Sequence, residues 1–448
     1  MFGTSGIRGT VGEEVTADLA LAVGRAVASE GAETVVVGRD PRESGELLAA
    51  AASAGARECG ATVLDAGMVS TPALARAVGR EDADAGIMLT ASHNPAPDNG
   101  LKLWNPSGQA FDTAQQEAIE RRIGTEDYDL RAWDGIGEER DLPGVTDRHV
   151  DALVDAVAGT EEAEQPLAGL TVAVDVGNGA GGATADALTR LGAHVYTLNA
   201  QPDGSFPSRP SEPTGDNCQA LREFVAGTDA DLGVAHDGDA DRMRACTESG
   251  RFVDGNVNLA LFAGAVAREG TRVAAPLNVS LAVEDALEAK GASLTRTRVG
   301  DVFVAEAATD DDVVFGGEES GAWIWPDETL CPDGPLAACR LAALVAREGS
   351  LDALVDGVET YPHLYEVLET DRKRELMAAV EDLVRAEFDA DRISAIDGVH
   401  VRTDDGWFMI RASGTEPKIR YRAEARDEAD ARRLLEVAKG FLGDAGDR

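Results

Sequence analysis

The stretch DGDADR places three carboxylates, Asp237, Asp239 and Asp241, at alternate positions of one short segment. Drawn into a tight loop, such a set can aim its oxygens at a single hard cation, the all-oxygen ligation that Mg²⁺ or Ca²⁺ requires. An EF-hand loop shares the spacing, and Glu248 stands at its twelfth position. Arg242, however, occupies the sixth, where that loop needs glycine, and a strand-like apolar run rather than a helix leads in. A solvated acidic turn is the other alternative. Arg242, beside the carboxylates, could grip a phosphate oxygen.

TASHNP, residues 90–95, ends the apolar run DAGIML and offers Ser92, His93 and Asn94; by itself it reads equally well as a strand-ending turn. Ten residues after the serine, DNGLKLW carries Lys102, one of only five lysines in the chain. A lysine there could move a proton or steer charge, or simply snorkel over Leu101 and Leu103. GEESG sets Glu318 and Ser320 between Gly317 and Gly321, so the backbone can approach a ligand closely, and its acceptors and hydroxyl suit sugar hydroxyls. RASGTEPKIR gathers Arg411, Ser413, Gly414, Thr415 and Arg420 into an anion nest of N–H groups, hydroxyls and guanidinium, fit for a phosphate. FGTSGIRG, residues 2–9, repeats that chemistry with Thr4, Ser5 and Arg8, unless it is a frayed glycine-rich terminus.

These residues need a scaffold, and an internal repeat supplies one. TVVVGRD from Thr34, TVAVDVGNGAGG from Thr171 and RVAAPLNVS from Arg272 each lead into an Ala/Leu-rich helical stretch, then Gly-Ala and a second strand. Near-continuous apolar strands alternating with helices are the βαβ signature of sheets buried on both faces. Each repeat continues to a third strand, and those strands run into TASHNP, DGDADR and GEESG. Ligands of open α/β sheets bind beyond the carboxyl ends of strands, so three equivalent loops would face one central cleft. The last part differs. A long polar helix precedes GVHVRTDDGWFMIRASGTEP and IRYRAEA, where Ile419, Tyr421, Ala423 and Ala425 alternate with polar residues, as in an antiparallel sheet covered on one face. The expected fold is therefore α/β: three tandem βαβ-type mixed-sheet domains of related topology and a smaller C-terminal α+β domain. Domains are expected over residues 1–146, 147–252, 253–357 and 358–448.

Composition narrows the function. The net charge of −40, spread along the chain, argues against nucleic acid or an anionic membrane as partner. Dispersed acidity with scarce lysine predicts a salt-rich cytoplasm, where ions screen self-repulsion. The five cysteines are scattered without a C-x-x-C pair, so neither a zinc site nor a disulfide framework is expected. No apolar run reaches membrane-spanning length, and the N-terminus lacks a basic-then-apolar leader. A soluble protein of a reducing cytoplasm, monomer or homodimer, is expected.

TASHNP, DGDADR, GEESG and RASGTEP, in that order over nearly the whole chain, resemble the four active-site loops of the α-D-phosphohexomutase family. The resemblance implies three related α/β domains and a fourth, smaller one around a deep cleft. It implies that Ser92 is a phosphoserine that gives its phosphoryl group to a hexose monophosphate and recovers the other from the bound bisphosphate. By the same resemblance Mg²⁺ is held by Asp237, Asp239, Asp241 and an oxygen of Ser92, and a hexose bisphosphate serves as activator. Lys102 and Arg8 would assist proton transfer or stabilise charge, with His93 and Arg242 beside them. Glu318 and Ser320 would hold sugar hydroxyls. Arg411, Ser413, Gly414, Thr415 and Arg420 would hold the non-reacting phosphate. The opening FGTSGIRG, and Gly414 in RASGTEP, lean towards the phosphoglucosamine mutase branch, with phosphomannomutase or phosphoglucomutase activity, singly or together, as alternatives. Ala322 stands where the sugar loop often has histidine. A Mg²⁺-dependent sugar phosphatase, or a non-catalytic sugar-phosphate binder, would share the same loops.

Overall fold

The computed structural model describes residues 1–3, 6–159, 165–414 and 417–446. The first sheet holds β1 (Ile7–Thr10), β2 (Thr34–Arg39), β3 (Thr62–Met68), β4 (Ala85–Leu89), β5 (Asp98–Trp104) and β6 (Glu139–Asp141), in the order β1-β5-β4-β2-β3-β6. The second holds β7 (Thr171–Asp175), β8 (His194–Leu198), β9 (Leu232–His236) and β10 (Met243–Thr247), in the order β10-β9-β7-β8. The third holds β11 (Arg272–Pro276), β12 (Ser293–Thr297), β13 (Val313–Gly317) and β14 (Trp323–Ile324), in the order β12-β11-β13-β14. The fourth is β15 (His363–Glu369), β16 (Ile393–Ser394), β17 (Val399–Arg402), β18 (Gly406–Ala412) and β19 (Lys418–Ala425), in the order β15-β19-β18-β17-β16.

The first three sheets share one wiring. A central strand (β2, β7 or β11) has the next two in the repeat parallel on either side of it. A fourth strand (β5, β10 or β14) then returns antiparallel beside the third. The parallel trio is the βαβ repeat of the sequence. The returning strand is a finding the pattern did not disclose, because β5 is buried along nearly its whole length and β14 has two residues, so neither shows alternation. It has a direct consequence for the site. TASHNP, DGDADR and the segment after Gly317 all occupy the same reversal, between third and fourth strands.

Helices cover the parallel sheets closely where small residues permit. Ala17–Ser29 and Gly45–Glu58 meet at Gly24 and Gly55; a methyl at Gly24 would lie 2.0 Å from the Ala52 carbonyl oxygen. The second and third domains share a core, with Leu336 and Leu341 of helix Gly334–Glu348 packing in one cluster with Leu153, Val157 and Leu188. The fourth domain is wholly antiparallel, and Ile419, Tyr421, Ala423 and Ala425 face its own core beneath helices Lys373–Glu387 and Glu428–Gly446. Among the described residues, its apolar contact with the third domain is a small cluster centred on Leu277, Leu281, Tyr361 and Trp407. All five cysteines are buried and free. Among the described residues no helix is long and apolar enough to cross a membrane.

The acidic surface carries a prediction. Exposed charges interact over about 10 Å at 0.1 M salt and far less at molar salt, so the repulsion created by a net charge of −40 is relieved by KCl. We predict that the thermal midpoint rises steadily from low to molar KCl; a midpoint indifferent to KCl in a calorimetric titration refutes the salt-adapted reading.

Candidate active site

Ser92 follows β4, whose five residues are all buried, and the three residues Thr90 to Ser92 remain buried beyond the strand. Its backbone is left-handed, φ +53°, a conformation that costs a residue with a side chain about 1–2 kcal/mol. That turn throws the hydroxyl out of the sheet. Ser92 Oγ donates to Asp237 Oδ2 at 2.5 Å, with Asp241 Oδ1 at 3.4 Å and His93 Nδ1 at 3.4 Å. Two loops 145 residues apart thus meet at one oxygen.

The DGDADR reversal bends through Ala240, also left-handed at φ +57°, and brings oxygens of Asp237, Asp239 and Asp241 within 4.8 Å of one another, all three residues buried. Like charges so placed are unfavourable unless cations answer them. Lys102 answers in part. It is 4% exposed, not snorkelling at the surface, and its ammonium donates to Asp239 Oδ2 at 2.7 Å and to Asp241 Oδ2. Although burial opposes it, the attraction of Asp239 and Asp241 holds the Lys102 ammonium above its ordinary range. Asp239 is also held from the first domain by Thr71, whose hydroxyl donates to Oδ2 at 2.5 Å and whose N–H donates to the Asp239 carbonyl at 2.9 Å. Against burial, Lys102 and Thr71 keep Asp239 below the usual carboxylate range. Asp237 goes the other way: burial, then Asp241 and Asp239, push it well above that range.

This donor set fits a hard divalent cation. It is all oxygen, it carries more negative charge than Lys102 neutralises, and Asp239 Oδ1 is buried with no hydrogen-bond partner. The EF-hand alternative fails, since β9 and β10 flank the loop and Glu248 instead accepts from Ser350 Oγ and the Asp352 N–H.

Cations ring the hydroxyl. Arg8 lies on β1, opposite Gly100 of β5 and so beside the Lys102 strand, which places FGTSGIRG partly in the first sheet; Thr4 and Ser5 lie outside the described residues. The Arg242 N–H donates to Asp237 Oδ1 at 3.2 Å, and its guanidinium, despite burial, is held above its ordinary range by Asp241, Asp237 and Glu318. Burial, with Arg242, Arg8 and Lys102 close by, pushes the His93 imidazole down to about 2, so it is neutral at physiological pH.

The metal-type loop and the GEESG loop are joined by backbone. Arg242 and Ala322 form a β-bridge, and the Met243 N–H donates to the Gly321 carbonyl at 3.0 Å. Ala322, where histidine is common in the family pattern, is buried in this junction. Glu318 accepts from the Gly300 N–H at 2.7 Å and from Ser320 Oγ at 3.2 Å. With Asn256, Asn278 and Val299 these two residues line one pocket. Glu319, which the sequence reading passed over, is a hub: it accepts from Asn256 Nδ2, Asn278 Nδ2 and, at 2.8 Å, from Arg422 Nη1 of the fourth domain.

In the fourth domain Arg411 and Arg420 stand directly opposite each other on β18 and β19. Like charges in that position are unfavourable without a counter-charge between them. Arg411 Nε donates to Asp397 at 2.9 Å, and the other Asp397 oxygen accepts from the N–H of Val299, which lines the Glu318 pocket. Ser413 is buried, its carbonyl held by Lys373 Nζ at 2.6 Å, and Gly414 follows at the surface. Thr415 lies outside the described residues. Thr71, Glu319 and Arg422 had no signal in the sequence beyond their types, because each acts on a partner more than 100 residues away.

A serine hydroxyl against a buried acidic trio, with cations around it and a facing pair of arginines on two strands of the smaller fourth domain, defines an enzyme class that moves phosphoryl groups on small phosphorylated substrates. Comparison with known proteins agrees in all four domains. Models of phosphoglucomutase/phosphomannomutase α/β/α domains I, II and III match residues 1–129, 147–250 and 254–361, and the C-terminal domain model matches residues 366–438. A probable phosphoglucosamine mutase of Methanococcoides burtonii is 42% identical over 447 residues, 99% of each chain. One of Methanothermobacter thermautotrophicus is 43% identical over 449 residues, 99% of this chain and 97% of its own. The crystal structure of a phosphoglucomutase/phosphomannomutase family protein of Burkholderia thailandensis, 28% identical, superposes with a TM-score of 0.87 over 100% of this chain and 98% of that one. The chain belongs to the phosphoglucomutase/phosphomannomutase family, and it is an isomerase of the phosphohexomutase kind.

Proposed function

We propose that the protein interconverts glucosamine 6-phosphate and glucosamine 1-phosphate, with Ser92 as the phosphoryl carrier. The observation that carries this reading is the 2.5 Å contact of Ser92 Oγ with Asp237 in the midst of Asp239, Asp241 and Lys102. The relatives that are about 42% identical over their full length, both named as probable phosphoglucosamine mutases, support the amino sugar as substrate.

In the first half-reaction a sugar hydroxyl attacks phosphoserine 92; the phosphorus–Oγ bond breaks, the phosphorus–sugar bond forms, and a hexose 1,6-bisphosphate stays bound. The sugar then reverses, and its other phosphoryl group returns to Ser92. Asp237, Asp239, Asp241 and a phosphoserine oxygen would hold a divalent cation such as Mg²⁺, which would supply positive charge to offset that of the transferring group. Lys102, Arg8 and Arg242 supply further positive charge to that group. The proton of the attacking hydroxyl ends on Ser92 Oγ, with Lys102 assisting its transfer, while His93, a neutral and very weak base, sits beside Oγ. Glu318 and Ser320 hold the sugar, while Arg411, Ser413, Gly414, Thr415 and Arg420 hold the distal phosphate. Binding energy from that phosphate is then available to the transition state. Added hexose bisphosphate activates by restoring phosphoserine.

The test is a ³¹P NMR panel of glucosamine, glucose and mannose phosphates with Mg²⁺ and catalytic bisphosphate. The reading requires glucosamine 1-phosphate to form fastest, in a bisphosphate-dependent manner. Faster mannose or glucose turnover transfers the assignment to those sugars, and steady release of inorganic phosphate makes the protein a phosphatase.

Glu318 adds a pH test. Burial, then the neighbouring Asp301, pushes its carboxyl up to about 7. It is therefore protonated below that pH and ionised above it, and only the ionised form attracts the 2-ammonium group of glucosamine phosphate. KM for the amino sugar should fall as pH rises through about 7, KM for glucose phosphate should not, and Glu318→Gln should remove the difference. Parallel KM–pH profiles for the two sugars in the wild-type protein take Glu318 out of this role.

A further inference from the structure

Arg42 belongs to GRDPRESG, a segment with no residue in the site described above, yet it is 1% exposed and one of the largest fully buried side chains of the protein. A guanidinium has five N–H donors, and here every one is used. Nε donates to Asp40 Oδ2 at 3.0 Å. Nη1 donates to the carbonyls of Pro95 and Asp98 at 2.7 and 2.8 Å. Nη2 donates to the carbonyls of Ser92 and Asn94 at 2.9 and 2.7 Å. Four of the five bonds therefore end on the backbone of residues 92–98, the loop that carries the reacting serine. A planar, rigid fork can do this; an ammonium, with three donors on a flexible stem, cannot.

A second path runs from the same side chain. Asp40 accepts from the Thr90 hydroxyl at 2.7 Å, and that hydroxyl accepts from the Ser92 N–H at 2.8 Å. From the second domain, Ser211 Oγ donates to the Ser92 carbonyl at 2.8 Å, and the Phe206 ring covers the Arg42 guanidinium at 5.0 Å. Both backbone groups of Ser92 are thus tied, its N–H through Thr90 and Asp40, its carbonyl through Arg42 and Ser211. Those ties span the one residue of the loop in a left-handed conformation. A serine left to itself would relax out of that conformation, and its hydroxyl would swing away from Asp237.

We propose that Arg42 is a positioning residue for phosphoryl transfer: it holds the strained Ser92 backbone so that Oγ occupies one place in both half-reactions. The proposal rests on the reading of Ser92 as the carrier. Arg42 touches no sugar-pocket or distal-phosphate residue, so its effect should fall on transfer and spare binding.

The test compares Arg42→Lys, which keeps the charge but not the fork, and Ser211→Ala, which removes one of the two donors to the Ser92 carbonyl. The dephosphorylated full-length proteins are mixed with glucose 1,6-bisphosphate and Mg²⁺, and phosphorylation of Ser92 is followed by rapid-quench mass spectrometry. Binding of glucosamine 6-phosphate is measured alongside by calorimetry. Arg42→Lys should slow phosphorylation about a hundredfold, the scale on which a small misplacement of a reacting group costs rate, with sugar-phosphate affinity unchanged. Ser211→Ala should slow it about fivefold, the size of one neutral hydrogen bond. Wild-type rates in Arg42→Lys overturn the proposal, as does a loss of phosphorylation matched by an equal loss of binding, which would mark a purely structural role. If Arg42→Lys does not fold, Ser211→Ala decides, and an unchanged rate overturns the proposal. A wild-type protein that turns over substrate but is never labelled at Ser92 removes the carrier reading and this inference together; normal labelling of both wild type and variant removes the inference alone.

Discussion

Ser92→Ala should lower mutase turnover by on the order of 10⁴-fold or more, the scale reached when a nucleophile that carries a covalent intermediate is deleted. The substitution removes one buried oxygen whose hydrogen bonds go to Asp237 and, more weakly, Asp241 and His93. It leaves the backbone ties of residue 92 in place, so the loop should keep its shape. Sugar-phosphate binding is assigned to other loops, GEESG and RASGTEP, and should persist with little change in Kd by calorimetry. The combination is what discriminates. A variant that still isomerises at wild-type rate eliminates the carrier. A variant that loses binding as well as turnover points to collapse of the loop, which circular dichroism and the thermal midpoint would reveal.

Asp239→Asn should produce the second large effect, and on two observables. Asp239 is the most deeply buried member of the trio, bonded to Lys102 and Thr71, with its remaining oxygen unpartnered. Removing one partner of a buried ion pair costs about 3–5 kcal/mol, roughly a factor of 10²–10³ or somewhat more in the equilibrium concerned. Affinity for Mg²⁺, titrated directly by calorimetry on the Ser92→Ala background, should fall on that scale, and turnover of the otherwise wild-type protein should fall with it. Lys102→Met supplies the opposite sign for one observable. The ammonium competes for Asp239 and Asp241, so its loss should strengthen cation binding while still slowing turnover, because charge on the transferring group loses a partner. If Asp239→Asn leaves Mg²⁺ affinity untouched, the trio is not a metal site. Weaker cation binding in Lys102→Met would rule out that competition.

Both effects depend on residues brought together from separate sheets. DGDADR, GEESG and RASGTEP pointed to their proposed chemistry through residue type and short spacing, because a loop a few residues long fixes which side chains can converge. The parallel trio of strands was equally legible: valine-rich runs such as TVVVGR are buried on both faces, and the βαβ period repeats three times. The alternation of Ile419, Tyr421, Ala423 and Ala425 announced an antiparallel sheet for the same local reason, a two-residue period with one covered face.

Lys102 marks the boundary of that legibility. It sits between Leu101 and Leu103 on a strand buried on both faces, so alternation could not tell whether its ammonium met solvent or protein. The answer came from Asp239 and Asp241, 137 and 139 residues later. Arg42, Thr71, Glu319 and Arg422 are of the same kind. Sequence by itself determined the loops, the repeated units and the period of each strand, since these follow from interactions among near neighbours. Only the tertiary structure decided which charge answers which, because the desolvation that makes a buried charge costly, and the partner that offsets it, arrive from different sheets once the antiparallel fourth strands turn three loops to one place.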